Sequence, residues 1–299
     1  MTPQPPIIDS HCHAWPSWPY ASAPPAGLAD PIGALLKEMD RHGVPEAVVV
    51  CARLDGNDDN NAFVARAVAR HADRLHMFAD LDSRWLPEYH TTGAAKRLRR
   101  LADQYPLAGF THYLRDVRDR WLVSEEGLAL FAAAAERGLV ASLSAAPGWQ
   151  PDIRRLARAV PQLPVICHHL GWIRGKGTPV DAALADVLAS AAVPNILIKV
   201  SGFHYGVASP RAVPDAETLR IVRALHGAFG ARRLCWGSDW PVVLAHLTYG
   251  QALDQVRRHC DMFSGEDRDW ILGGTLAAVM RRGTAVREVS GDPGQPSGE

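Results

Sequence analysis

Eight short segments rich in β-branched and other apolar residues alternate along this chain with longer segments of helical periodicity. Because a crossover must return the chain to the same end of the sheet before each parallel strand, this alternation predicts a parallel sheet. Eight such units within 299 residues indicate an α/β fold of a single domain, a closed (β/α)8 TIM barrel. The predicted strands are 7–11, 47–51, 75–79, 108–112, 139–143, 165–168, 196–200 and 234–237.

Extra C-terminal helices are predicted after the eighth strand, at 249–261 and 264–282. The barrel is therefore expected to span residues 7–285. Residues 1–6 are expected to form a flexible N-terminus. The tail 286–299, rich in Ser, Gly and Pro, is expected to be disordered.

Charge and cysteine content indicate which partners and which cellular compartment this protein is expected to have. Lys and Arg number 32, as do Asp and Glu, and a formal net charge of zero argues against a nucleic-acid or anionic-membrane partner. No apolar run approaches the roughly 20 residues that span a bilayer, and the N-terminus lacks a secretory signal. Five widely spaced cysteines favour reduced thiols in a cytoplasmic enzyme. The sequence leaves a homo-oligomer open.

Polar residues at the ends of three predicted strands indicate where chemistry would occur. Barrel enzymes carry their reactive groups at the C-terminal ends of the strands. The first strand ends with His11 and His13, which alternation places on one side, about 7 Å apart along the backbone. The sixth ends with His168 and His169, and Asp239 follows the eighth. Singly, each fits a core histidine or a turn-capping aspartate, but together they predict one cluster at the barrel mouth.

The order of these motifs resembles that of the amidohydrolase superfamily. The chain has HxH in the first strand, His-x-Gly after the sixth and GSDWP after the eighth. More narrowly, it is similar to the amidohydrolase-related branch that contains 2-pyrone-4,6-dicarboxylate lactonase and sugar lactonases similar to L-fuconolactonase. The segments GNDDNNAFV, GFTHYLRD, KVSG and ILGGTLAAVM extend the resemblance over nearly the whole chain. It implies a barrel hydrolase that opens a lactone, so the expected partner is a small-molecule lactone or carboxylic acid.

The resemblance also implies roles for four residues. His11 and His13 match the family's first-strand histidines, and His169 matches its sixth-strand histidine. Asp239 matches the catalytic aspartate, the general base for the water that attacks the lactone carbonyl. The three histidines would polarise the carbonyl oxygen and stabilise the oxyanion, directly or through a metal ion.

Three positions depart from the pattern of this branch. His168 stands where the branch usually has aspartate, Thr111 where it has arginine, and Thr275 where it has asparagine. The missing arginine favours a neutral or singly charged aldonolactone over a dicarboxylate, unless Arg115 or Arg118 substitutes for it.

The sequence leaves metal binding open. Three imidazoles and one carboxylate, from His11, His13, His169 and Asp239, suit zinc or another borderline divalent ion. The resemblance also points the other way, since 2-pyrone-4,6-dicarboxylate lactonase is regarded as metal-independent. No barrel lysine suited to bridging two metals is evident, which argues against a binuclear centre. The expectation is no cofactor or one weakly bound divalent ion, with zinc preferred.

Loops at the predicted mouth supply candidates for substrate binding. They could hold substrate hydroxyls or a carboxylate, whereas ordinary ion pairing within the loops is the alternative reading for each. The aromatic segment 15–20 is expected to wall a pocket for a sugar-sized ring. Lys199 either faces the barrel interior toward the site or pairs within it. The substrate-binding candidates are Arg53, His112, Tyr113, Arg115, His204 and Trp240, with Asp55 and Tyr205 in the same loops.

The sequence is compatible with three functions. The preferred one is a hydrolase that opens a sugar or aromatic-pathway lactone. The first alternative is a metal-dependent decarboxylase of the same superfamily, and the second is a non-catalytic ligand-binding barrel. The chain lacks the GxSxG elbow, a GxGxxG turn and a P-loop, which argues against serine-hydrolase, dinucleotide and nucleotide-phosphate chemistry.

Overall fold

A computed structural model of the chain describes residues 5–175 and 179–281. Eight parallel strands pair in sequence order, each with the next. A parallel bridge between Cys12 and Trp240 brings the exit of the last strand against the first and nearly closes the barrel. The predicted (β/α)8 fold is confirmed, and every predicted strand end lies within one residue of the observed one. The strands are β1 (Ile8–Cys12), β2 (Glu46–Val50), β3 (Leu75–Asp80), β4 (Leu107–Tyr113), β5 (Val140–Ser144), β6 (Val165–Cys167), β7 (Ile196–Val200) and β8 (Leu234–Trp236).

Helices cover the outside of the barrel. The side chains of Asp30 and Ser124 each accept a hydrogen bond from a backbone N–H three residues further on, which caps the helices that follow them. The first helix ends at Gly43, whose φ of 67° lies in the left-handed region that glycine adopts without strain. The helices are α1 (Pro31–His42), α2 (Asn60–Arg70), α3 (Ala94–Gln104), α4 (Glu125–Glu136), α5 (Gln150–Ala159), α6 (Val180–Leu188), α7 (Ala216–Phe229), α8 (Tyr249–Arg257) and α9 (Gly265–Asp269).

The last predicted helix is interrupted. It begins as α9, continues as one π-helical turn at Trp270–Gly274 and returns to α-helix at 275–281. At this turn the backbone comes very close to the residues before β1. A Cβ atom on Gly273 would lie 1.8 Å from the backbone oxygen of Pro6, so only glycine fits there. Local contact with the barrel, which helical periodicity does not reveal, therefore reshapes this helix.

The inside of the barrel is a packed apolar core and not a pore. Residues of the C-terminal helical segment join strand residues in this core, and a larger apolar layer lies between the strands and the outer helices. A small molecule therefore cannot occupy the centre of the barrel, which leaves the C-terminal strand ends as the place for a site. The buried members of the inner core are Ile8, Val48, Val50, Phe78, Val140, Ile166, Leu197, Cys235, Leu276 and Val279.

Within the described ranges, no helix combines the length and the apolar character that crossing a bilayer requires. All five cysteines are free and buried, in agreement with the expected reduced thiols. The predicted tail 286–299 and residues 1–4 of the predicted N-terminal segment lie outside the described residues, so the domain limits remain predictions.

Candidate active site

Four side chains from three strand ends meet at the mouth of the barrel. His11 lies in β1 and His13 just after it, whereas His169 and Asp239 follow β6 and β8. The Oδ1 atom of Asp239 lies 3.5 Å from Nε2 of His11, 3.6 Å from Nε2 of His13 and 3.9 Å from Nε2 of His169. All four side chains are buried, and Asp239 is 1 % exposed. The structure thus brings together the residues that the sequence places at separate strand ends.

Backbone contacts join the end of β1 to the loop after β8. The register between β1 and β2 shifts within the last part of β1, a bulge that redirects the chain where the HxH motif lies. The N–H of Asp239 donates to the carbonyl of His11 at 2.8 Å, and the N–H of His13 donates to the carbonyl of Trp240 at 2.6 Å. These bonds hold Asp239 at a φ of 60°, a strained value for a residue other than glycine and one typical of functional sites.

Asp9 accepts hydrogen bonds from both the end of β1 and the loop after β8. Its Oδ1 accepts hydrogen bonds from the backbone N–H groups of His11, at 3.0 Å, and Ser238, at 2.9 Å. Its Oδ2 accepts from the Ser238 hydroxyl and, at 3.1 Å, from the Tyr249 hydroxyl. Burial raises the pKa of Asp9 to about 6. Sequence reasoning missed this residue, although an aspartate within the apolar run before HxH is the kind of signal that could have found it.

Asp239 is the charged centre of the cluster. Burial by itself would raise its pKa, but interactions with the surrounding histidines, His169 first and His204 among them, outweigh burial and hold the pKa of Asp239 well below its usual range. The hydroxyl of Tyr205 donates to its Oδ2 at 2.7 Å. Asp239 is therefore a carboxylate at neutral pH, as a general base must be.

Three of the neighbouring imidazoles, those of His11, His168 and His169, are neutral at pH 7. Burial lowers the pKa of His11 and His168 well below the ordinary value and lowers the pKa of His169 to about 3. A neutral imidazole carries one N–H donor and one acceptor, and its partners decide which nitrogen holds the hydrogen. The site is thus one negative charge surrounded by polar groups that can orient a substrate.

The aromatic segment after β1 covers this cluster. The ring of Trp15 stacks on His13 with centroids 4.7 Å apart, and its Nε1 donates to the carbonyl of Ala52 at 2.8 Å. Trp18 and Tyr20 contact Trp15 edge-on and also contact each other. Burial raises the pKa of Tyr20. The segment predicted to wall a pocket therefore lies over the mouth as an aromatic cover.

The donor set fits one divalent ion. Donor atoms of His11, His13 and Asp239 all lie within 4.8 Å of one another, and the same holds for His11, His168 and His169. The Nε2–Oδ1 separations of 3.5–3.9 Å are close to the roughly 3.3 Å between ligands around tetrahedral zinc. Among the described residues, Oδ1 of Asp239 has no hydrogen-bond partner. An unpartnered carboxylate oxygen among imidazole nitrogens is chemically suited to such an ion.

Two predicted substrate-binding residues lie at this cluster. Nε2 of His204 is 3.4 Å from Oδ2 of Asp239. The ring of Tyr113 meets the ring of His168 edge-on, with centroids 5.4 Å apart. Burial, with the charge of Asp239 contributing, raises the pKa of Tyr113 well above its usual value. Their expected roles remain proposals, but their positions allow contact with a bound ligand.

His112 is placed elsewhere. Its Nδ1 contacts the carbonyl of Leu81 at 2.9 Å, and its Nε2 lies 3.2 Å from Nε2 of His90. Its ring lies 5.9 Å from that of Trp121, in the layer between strands and helices. Alternation along β4 explains this, because Tyr113 points toward the site and its neighbour must point away. These contacts give no support to the predicted contact of His112 with substrate.

Three other predicted binding residues also have partners away from Asp239. The side chain of Arg53 donates from Nε to the carbonyl of Asp58 at 2.7 Å. The guanidinium of Arg115 lies 4.5 Å from the ring centroid of Tyr89. Trp240 is 1 % exposed and packs in the apolar layer outside the strands. The structure does not bring these three side chains to the carboxylate.

A second buried carboxyl, missed by sequence reasoning, lies at the end of β3. Asp80 is two residues after Phe78 of the inner core, so alternation turns it toward the barrel axis. Its Oδ2 accepts from the backbone N–H of Arg53 at 2.7 Å and from Nε1 of Trp85 at 3.0 Å. Its Oδ1 has no hydrogen-bond partner among the described residues, and burial raises the pKa of Asp80 to about 6.

We expect the free energy of unfolding of Asp80→Asn, relative to that of the wild type, to increase as pH rises. The folded protein holds the Asp80 proton more tightly than the unfolded chain, so the wild type loses stability between about pH 4 and pH 6 and asparagine does not. The shift implies that the variant gains about 3 kcal/mol relative to the wild type between pH 3.5 and pH 7.5. Urea unfolding at both pH values measures this. Asp181→Asn, at an exposed position, is the control, and a pH-independent difference for Asp80→Asn would contradict the raised pKa.

A parallel barrel with a carboxylate and imidazoles gathered at its C-terminal mouth defines a class of barrel hydrolases. The chain belongs to the amidohydrolase family, whose model matches residues 8–281. Among curated relatives, the L-fucono-1,5-lactonase of Burkholderia ambifaria is 28 % identical over 298 residues, which cover 92 % of this chain and 95 % of that protein. The predicted family resemblance is thereby confirmed.

Solved structures agree on the fold. An amidohydrolase from Burkholderia multivorans with bound zinc matches with a TM-score of 0.70 and 24 % identity, covering 92 % of this chain and 99 % of that one. A probable 2-pyrone-4,6-dicarboxylic acid hydrolase from Acinetobacter baumannii with citric acid bound matches with a TM-score of 0.74 and 21 % identity, over the same shares. At these identities, the likeness establishes the barrel architecture alone.

Proposed function

We propose that this protein is a lactonase that opens a sugar lactone by attack of water on the ring ester. The observation that carries the proposal is the unpartnered Oδ1 of a buried carboxylate, Asp239, surrounded by three imidazoles. The similarity to L-fucono-1,5-lactonase over nearly the full length of both proteins supports a cyclic ester as substrate. Related folds with other chemistry exist, so the site and not the fold carries the argument.

In the proposed mechanism, Asp239 is the general base. Its Oδ1 takes a proton from a water molecule as that water attacks the lactone carbonyl carbon, and it later returns the proton to the leaving ring oxygen. The hydrogen bond from Tyr205 to Oδ2 orients the carboxylate and leaves Oδ1 for the water. N–H groups of the surrounding imidazoles hold the carbonyl oxygen as negative charge develops on it.

A divalent ion is compatible with this site. His11, His13, His169 and Asp239 would hold it, and the bound zinc in the Burkholderia multivorans relative makes zinc the first candidate. When bound, such an ion would polarise the carbonyl and lower the pKa of a water molecule. Elemental analysis of protein purified without chelators measures whether stoichiometric zinc is present.

The walls of the site favour a substrate without two carboxylates. Thr111 lies next to Asp80 across β3 and β4, where the related branch usually has an arginine. Asp80 presents a buried oxygen that can accept hydrogen bonds from hydroxyl groups but would repel a carboxylate once ionised. We therefore expect a neutral or singly charged aldonolactone to be hydrolysed faster than a dicarboxylate lactone.

A pH-indicator screen of sugar lactones and 2-pyrone-4,6-dicarboxylate, with and without added zinc, tests the proposed function. Ring opening of an aldonolactone with acid release is the expected result. Release of carbon dioxide from aromatic acids, without lactone opening, would support the decarboxylase alternative instead. Binding of lactones without turnover across the panel would support a ligand-binding barrel.

A further inference from the structure

A buried lysine contacts the cluster from inside the barrel. Lys199 lies in β7, is 0 % exposed, and places its Nζ 2.7 Å from Nδ1 of His11. The same Nζ lies 5.8 Å from the ring centroid of Phe78 in the inner core. Among the described residues, no carboxylate lies within 4 Å of this nitrogen. Its polar contact within the described residues is therefore the imidazole of His11.

This contact determines where His11 carries its hydrogen. A lysine ammonium has three N–H donors and no acceptor. With Lys199 as the donor, Nδ1 of His11 accepts, and the hydrogen of the neutral ring resides on Nε2. Nε2 is the nitrogen that faces the cluster, 3.1 Å from Nε2 of His13 and 3.5 Å from Oδ1 of Asp239.

His13 completes a chain of hydrogen bonds that all run in one direction. Its Nδ1 lies 2.6 Å from the carbonyl of Val50, which can only accept, so His13 carries its hydrogen on Nδ1. In the neutral form of this ring, Nε2 can accept the hydrogen on Nε2 of His11. From Lys199 through His11 and His13 to Val50, every donor meets an acceptor.

His11 and His13 therefore present different groups to the cluster, an N–H from His11 and a lone pair from His13. Histidines that bind metals usually donate their second ring N–H to a carbonyl or carboxylate, which leaves a lone pair on the other nitrogen for the ion. The contact of His13 with Val50 has this arrangement. The contact of His11 with Lys199 has the opposite one, because it leaves an N–H where the ion would need a lone pair.

We propose that Lys199 is a positioning residue that keeps the hydrogen of His11 on Nε2. His11 thereby acts as a hydrogen-bond donor toward a substrate oxygen, and the hold of the cluster on a divalent ion is weakened. The inference concerns the site of the proposed function, but its test requires no substrate. A failed lactone screen and a failed test of Lys199 can therefore be told apart.

Histidine tautomers in metal-free protein provide the first test. Long-range ¹H–¹⁵N correlation spectra distinguish Nε2–H from Nδ1–H imidazoles, and a His11→Asn variant assigns the His11 signals. The expected result is an Nε2–H ring for His11 and an Nδ1–H ring for His13. An Nδ1–H ring for His11 in the wild-type protein would overturn the proposal, and this measurement needs no Lys199 variant to fold.

Zinc binding provides the second test. Lys199→Met removes the donor at nearly constant volume, and isothermal titration of the metal-free protein with zinc is expected to show affinity about 10–100-fold higher than that of the wild type. Lys37→Met, at an exposed position of α1, is the matched control and should bind zinc as the wild type does. Circular dichroism verifies folding. A folded Lys199→Met protein that binds zinc no more tightly than the wild type would contradict the proposal.

Discussion

Asp239→Asn is expected to lower kcat for lactone hydrolysis by about 10²–10⁴-fold while the protein stays folded. The amide oxygen can still accept the hydrogen bond from Tyr205, so the local geometry has a replacement partner. An amide cannot take a proton from water, however, and this is the task assigned to Oδ1. Steady-state kinetics on the best lactone of the screen, with circular dichroism as the folding measurement, test this expectation.

Asp181→Asn is the matched control for this variant. It makes the same chemical change at an exposed position whose carboxylate pairs with Arg220 on the outer surface. Its kcat should equal that of the wild type. Turnover by Asp239→Asn within a few-fold of the wild type would rule out Asp239 as the general base, whatever the substrate.

Asp9→Ala is expected to reduce the free energy of unfolding by about 3–5 kcal/mol. Its carboxylate accepts hydrogen bonds from His11, twice from Ser238 and from Tyr249, all in a buried environment. Alanine leaves these donors without an acceptor, and each buried, unsatisfied donor costs about 1–3 kcal/mol. Removing a carboxyl whose burial is itself unfavourable offsets part of this loss. Urea unfolding at pH 7 gives the value.

Two milder variants, one at Tyr249 and one at Asp9, distinguish the contribution of the hydrogen bonds from that of the charge of Asp9. Tyr249→Phe removes one donor and is expected to cost about 1 kcal/mol. Asp9→Asn keeps one acceptor oxygen for the two backbone N–H groups, so its loss should lie between the other two. If Asp9→Ala is as stable as Tyr249→Phe, the four-bond anchor is not what holds the two strand ends together.

The barrel and its central cluster are readable in the sequence because their signals are local. Short β-branched runs predict the strands, and the barrel rule places the last residues of each strand at one mouth. His11, His13, His169 and Asp239 come together for this reason alone. Their separations in sequence carry no information about distance, but their positions at strand ends do.

Side-chain direction on β4 could not be read in the same way. A parallel strand covered on both faces is apolar throughout, so alternation shows that neighbours point opposite ways without showing which set points inward. Thr111 and Tyr113 belong to one set and His112 to the other, and the sequence nominates residues from both. Asp9 and Asp80 escaped notice for a related reason, because their value depends on partners supplied by distant elements.

The packed rings of Trp15, Trp18 and Tyr20 have a consequence for the electrostatics of the mouth. Trp15 stacks on His13, and Trp18 and Tyr20 pack in turn against Trp15. Their apolar surface keeps bulk water away from this side of the cluster. A lower local dielectric there strengthens the electrostatic interactions of the Asp239 carboxylate with a bound ligand.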